Sequence, residues 1–168
     1  NLLTDSLPAI AIGMEPARRG LLRQPPRDPK QPILNRELLL RIGGQGLLIA
    51  VATMAAFYLG YRAQGAQLAS TMAFATLTLA RLFHGFNCRG RESIFRLKLS
   101  SNKSSLLAFL AGVVLLLAVL LIPGLKTLFQ VSPAFDLLCL GRVTLLAFLP
   151  TLVIQLHRSS SDRPRGKN

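Results

Sequence analysis

The chain has 168 residues, 51% of them hydrophobic, yet it carries 20 Lys and Arg against 7 Asp and Glu, a net charge of +13 at a mean hydropathy of +0.43. A soluble nucleic-acid binder would share the charge and not the hydropathy, and a soluble globular domain would share neither. The two compositions separate along the chain, with apolar stretches of about twenty residues alternating with short basic ones. That pattern describes an all-α, polytopic helical membrane protein and excludes a water-soluble enzyme domain and a disordered basic tail.

The first element, residues 1–14, is apolar after a polar start. Fourteen helical residues rise about 21 Å, too little for a hydrocarbon core of about 30 Å. It is expected to be the C-terminal half of a transmembrane helix whose beginning the chain lacks. A signal peptide does not fit, because the basic residues follow the apolar run. Asn1, Thr4 and Asp5 are spaced i, i+3, i+4 and so share one helical face. They offer an amide carbonyl, a hydroxyl and a carboxylate, hard oxygen donors of the kind Ca²⁺ takes six to eight of. Pro8 follows, and a mid-membrane proline frees a backbone carbonyl one turn back. From spacing alone these three residues suit either an ion site or the capping of a frayed helix start, although an ionisable group at membrane depth is a functional candidate in itself.

Residues 15–37 form a basic loop with Pro25, Pro26, Pro29 and Pro32 at close spacing, which favours a stiff extended strap over a folded domain. Residues 38–156 hold four full spans, expected at about Leu38 to Tyr61, Leu68 to Asn87, Ser105 to Pro123 and Ala134 to Leu156. Gly43 and Gly44, with Gly46, open the first of these and are expected to let another helix pack closely. The second is the least apolar and carries Arg81, a charge that requires compensation inside a membrane. The third reads as a lipid-facing support helix without chemistry. Arg142 in the fourth fits either a structural ion pair or snorkelling. Residues 157–168 form a basic tail expected at the inner leaflet.

Counted by connection, the cations outside the spans fall as seven, one, five, one and four. This alternation places the first, third and fifth segments, including the C-terminus, in the cytoplasm by the positive-inside rule. No aromatic residues interleave with the basic clusters as a base-stacking platform requires, so the partners expected are the lipid bilayer and not nucleic acid. Cys88 and Cys139 fall at opposite ends of their helices, too far apart for a disulfide.

Two runs, Asn1-Leu2-Leu3-Thr4-Asp5-Ser6-Leu7-Pro8-Ala9 and Gly13-Met14-Glu15-Pro16, together resemble the sixth transmembrane helix of P-type (type II) Ca²⁺-transporting ATPases, whose pattern is NLxTDxxPAxxLGxEP. The likeness continues in order through Pro25-Pro26-Arg27, Ile42-Gly43-Gly44, Thr71-Met72-Ala73-Phe74 and Phe86-Asn87, and covers essentially the whole chain. The first motif is specific; the later ones are individually weak but collinear.

The resemblance implies that Asn1, Thr4 and Asp5 are helix-six Ca²⁺ ligands, with Asp5 the central carboxylate. It also implies that the strap braces a phosphorylation domain, and that the missing N-terminal helices and cytoplasmic domains of the same pump complete the machine. Where two-ion pumps of the family place an acidic ligand in helix eight, a gapless match puts Arg81. A fixed cation there should repel a second Ca²⁺ and could pair with Asp5, which implies one Ca²⁺ per cycle.

The sequence has no Asp-Lys-Thr-Gly phosphorylation motif. Mg²⁺ and ATP are therefore expected only in the full-length protein, and the segment alone should be inactive. The alternatives are a Mn²⁺ or Na⁺ pump and, from another class, a free-standing regulatory or assembly module. A bacterial plasma membrane is the expected location.

Overall fold

The computed structural model describes residues 2–14, 34–88 and 102–161. Asn1, the proline-rich strap, the basic residues Arg89, Arg91, Arg96 and Lys98, and the tail beyond Ser161 lie outside the described residues. Among the described residues six helices follow in order: α1 (Leu2–Gly13), α2 (Arg36–Gln64), α3 (Ala66–Cys88), α4 (Lys103–Leu121), α5 (Pro123–Leu128) and α6 (Leu137–Ser161).

Helix α2 starts on Asn35, whose side-chain oxygen accepts the Leu38 N–H at 2.8 Å, and its exposed first turns carry the Arg41–Glu37 pair at 3.4 Å. Its 29 residues rise about 43 Å, more than a bilayer core. It ends at Gly65, where φ is 81°, a left-handed conformation open to glycine without a Cβ penalty. The chain reverses there and enters α3 at once.

Buried Ala52, Ala56 and Gly60 form a stripe at four-residue spacing along α2, facing α3. A Cβ on Gly60 would stand 2.8 Å from the Ala69 Cα, so the two backbones touch. The close approach expected at Gly43 and Gly44 is not made among the described residues: a Cβ at either meets no atom within 4 Å.

Helix α3 is the centre of the bundle and packs against α1, α2, α4 and α6. By length and composition, three helices among the described residues can cross a membrane, α2, α4 and α6. The fourth expected span, α3, has 23 residues but falls outside this set. Its polar side chains Thr71, Thr76, Thr78 and Asn87 are buried among neighbouring helices, so it tolerates a composition that lipid would not.

Helix α4 is not only a lipid-facing support. Ser105, Ala108, Gly112, Leu116 and Leu120 make a buried stripe, and α4 packs on both α1 and α3. Gly112 receives Leu82, whose Cδ2 would lie 2.6 Å from any Cβ at that position. Past Leu121 the chain makes the short helix α5, opened by Pro123 and closed by a left-handed Gln130 with φ 54°. Val131 N–H bonds the Lys126 carbonyl at 2.8 Å, and Gln130 N–H bonds that of Thr127 at 3.2 Å. This is a Schellman stop.

Helix α6 starts on Asp136 and runs through Ser161, so residues 157–161, expected in the tail, prolong the helix. Arg142 stands exposed about 8 Å along the axis from its first residue, close enough to reach the end of the bundle, which favours snorkelling. Both cysteines are free, Cys88 exposed at one end of the bundle and Cys139 buried near the other.

Candidate functional site

Helix α1 positions the expected ion-binding residues. Thr4 and Asp5 fall in its first turn and a half; their side chains, like Asn1 as a whole, lie outside the described residues. Pro8 sits in the middle, and α1 remains helical through it to Gly13. With no N–H at Pro8, the Thr4 carbonyl lacks its usual helical partner.

Pro8 meets α3 at Gly85: a Cβ on Gly85 would lie 3.9 Å from the Pro8 Cβ, an ordinary contact. Helix α4 runs antiparallel to α3, with Phe109 beside Phe86 (ring centroids 5.1 Å apart) and Gly112 against Leu82. Its start meets the end of α1, so α1 and α3 run parallel. One turn back from the Pro8–Gly85 crossing, about 6 Å along each axis, come Thr4 on α1 and Arg81 on α3. Arg81 belongs to an exposed stripe of α3 with Ser70, Phe74, Leu77 and Cys88. The structure thus brings Pro8 to α3 at Gly85, one turn from Arg81, while a Cβ at Gly43 or Gly44 meets nothing within 4 Å.

Two amide side chains hold the helices around this crossing, and neither is marked by charge. Asn87, 1% exposed, is three residues past Arg81's next turn, at the end of α3. Its Nδ2 donates to Thr151 Oγ1 at 3.3 Å and to His84 Nδ1 at 3.3 Å, which requires that His84 nitrogen to carry no proton. Its Oδ1 accepts from Gln155 Nε2, and its backbone carbonyl accepts from the Arg158 guanidinium at 2.8 Å. Thr151, Gln155 and Arg158 share one face of α6 at four- and three-residue spacing. That face therefore grips the end of α3, and the Arg158 cation meets the negative pole of the α3 dipole.

The second amide is Asn102, 4% exposed, just before α4. Its Oδ1 accepts the Ser105 N–H at 3.0 Å and caps α4, while its Nδ2 donates to the Ala11 carbonyl of α1 at 2.9 Å. The Asn-Lys-Ser-Ser run opening an apolar stretch is a cap signal in sequence, and an amide inside an apolar helix end is the signal for Asn87. Which partners they bind is a tertiary matter that spacing does not carry. Phe83 then links three helices, with its ring centroid 5.5 Å from those of Phe109 and Phe148.

Residues 1–159 match the family described as "Cation transporting ATPase, C-terminus". The chain is similar to the calcium-transporting ATPase of Bacillus subtilis (strain 168), 36% identical over 154 residues, covering 89% of this chain and 17% of that protein. It is 31% identical over 174 residues to calcium-transporting ATPase 1 of Bacillus cereus (strain ATCC 10987 / NRS 248), covering 93% and 19%. A relative from Mus musculus, calcium-transporting ATPase type 2C member 2, is 32% identical over 170 residues, covering 98% and 18%. The chain thus spans less than a fifth of the length of each of these relatives.

Proposed function

Because this chain belongs to the C-terminal family of cation-transporting ATPases, we propose that it is the membrane segment of an ATP-driven pump that exports Ca²⁺ from the cytoplasm, with α1 as its ion-binding helix. The observation that carries the reading is the extent of the likeness. It takes in residues 1–159, so the oxygen-bearing start of α1 lies inside the matched region together with the helices that pack around it. The relatives above are named calcium-transporting, which favours Ca²⁺ over Mn²⁺ and Na⁺.

In this reading Asn1, Thr4 and Asp5 supply an amide, a hydroxyl and a carboxylate to the ion. Pro8 adds to them, since the Thr4 carbonyl it leaves without a ladder partner can turn to the ion as a further oxygen. Arg81, level with Thr4, acts as a fixed cation that excludes a second divalent ion, so one Ca²⁺ moves per cycle. The basic segments put the ends of α1, α3 and α6 and the starts of α2 and α4 at the cytoplasmic side of a plasma membrane. The common end made by Ala11, Asn87, Asn102 and Arg158 supports that arrangement. Residues 15–37 brace the cytoplasmic domains, 38–156 are the support bundle, and 157–168 anchor at the inner leaflet. Phosphorylation, Mg²⁺ and ATP belong to other parts of the longer protein.

The test is phosphorylation of the full-length pump by ATP. Ca²⁺ should be required, D5N should abolish that requirement's normal range, and about one Ca²⁺ should bind per phosphorylatable enzyme. Activation by Mn²⁺ or Na⁺ in place of Ca²⁺ would overturn the ion assignment. A stoichiometry of two would overturn the role of Arg81, and R81E tests whether a carboxylate there creates a second site.

A further inference from the structure

Helix α1 is divided by Pro8. Before the proline lie Thr4 and Asp5; after it lie Ala11, 4% exposed, and the helix end at Gly13. The last carbonyls of any helix lack intrahelical partners, and where they are buried something else must satisfy them. Met14 N–H reaches back to the Ile10 and Ala11 carbonyls at 3.1 and 3.3 Å. Pro16 has no N–H to offer Ile12. Into this end comes the Nδ2 of Asn102, from 91 residues away, donating to the Ala11 carbonyl at 2.9 Å.

The same side chain caps α4 through its other atom, the Oδ1 on Ser105 N–H. Only a primary amide of this length can do both. An aspartate caps as well as asparagine but has no donor, and a serine caps but ends one bond sooner. Pro8 packs against Gly85 at the other end of the same half-helix, so the part of α1 after the proline is fixed at two points, by α3 and by α4.

We infer that Asn102 is a positioning residue for ion binding: by tying the Ala11 carbonyl to the start of α4, it holds the C-terminal half of α1, so that movement at Pro8 displaces the Thr4–Asp5 half alone. This rests on the reading of α1 as the ion-binding helix. Losing the tether leaves the ligands' chemistry intact and spreads their geometry, so the apparent affinity for Ca²⁺ falls while the maximal reaction does not.

The two functions of the amide separate by substitution in the full-length pump, read as the Ca²⁺ dependence of phosphorylation by ATP. N102S keeps the α4 cap and loses the tether; N102A loses both; D5N reports on the ion site itself. N102S should raise half-saturating Ca²⁺ about fivefold, with the maximal phosphoenzyme level retained, the scale expected for one lost buried hydrogen bond. N102D, which also caps without donating, should shift the same way and serves if N102S does not reach the membrane. An unshifted N102S beside a shifted D5N would overturn the positioning role alone. A wild-type Ca²⁺ curve in D5N would overturn the ion-site reading and this proposal with it.

Discussion

Gly60 and Ala69 lie in direct backbone contact across the α2–α3 hairpin, with 2.8 Å between the Ala69 Cα and the place a Gly60 Cβ would occupy. Neither backbone can yield without moving its helix, since the atom met is main chain and not the flexible end of a side chain. Gly60→Ala should therefore cost about 1–3 kcal/mol, and Gly60→Leu more, seen as a lower thermal midpoint in detergent. Wild-type stability in Gly60→Leu would show that the helices do not meet there.

Asn87 is bonded to three α6 residues; replacing its side chain removes the acceptor of the buried Gln155 amide and the donor to Thr151, while the backbone carbonyl that accepts from Arg158 stays. Asn87→Leu should destabilise by about 1–3 kcal/mol. A double-mutant cycle with Gln155→Leu should show coupling of about 0.5 kcal/mol or more, because removing both amides leaves nothing orphaned between them. Strict additivity would argue against the contact.

The Asp136 carboxylate accepts the Cys139 N–H at 2.7 Å at the start of α6, and these backbone and side-chain bonds to Cys139 hold its carboxyl below the usual range. A depressed folded value means the cap contributes fully above the unfolded carboxylate's pKa of about 3.9 and is lost as pH falls below that through the folded value. A thermal-midpoint series from pH 6 to pH 3 should show this loss, and D136N, a neutral cap, should flatten that part of the curve.

Gln130 holds the left-handed position of the α5 stop, where a side chain costs about 1 kcal/mol relative to glycine. Gln130→Gly should raise the thermal midpoint by about 2–4 °C in a chain of this size. A lower midpoint would mean that the Gln130 side chain contributes more than its backbone costs.

Much of the helical frame was legible in the sequence because apolar runs near twenty residues have one physical solution in a bilayer. Leu38 to Tyr61 became Arg36–Gln64, and Leu68 to Asn87 became Ala66–Cys88. Packing was less legible. Gly43 and Gly44 carry the same local signal as Gly60, and only the α3 partner tells them apart, although the Ala52, Ala56, Gly60 stripe was there to be read. Helix α4 looks uniformly apolar because, past Ser105, its buried stripe is built from Ala, Gly and Leu, as its lipid face could be. The crossing of Pro8 with Gly85, and with it the level of Thr4 relative to Arg81, depends on the register of two helices whose crossing residues lie more than seventy positions apart, which no local pattern encodes.

The single residue between α2 and α3 bears on how the protein is made. Gly65 leaves no loop in which α3 could wait, and α3 by itself is too polar to join the three helices that qualify for lipid on their own. A segment of that kind enters a membrane in company. Packed against α2 along Ala52, Ala56 and Gly60, α3 is expected to insert as the second arm of a hairpin. Chain order thus places the one long helix among the described residues that does not qualify for lipid by itself directly beside the partner that covers it.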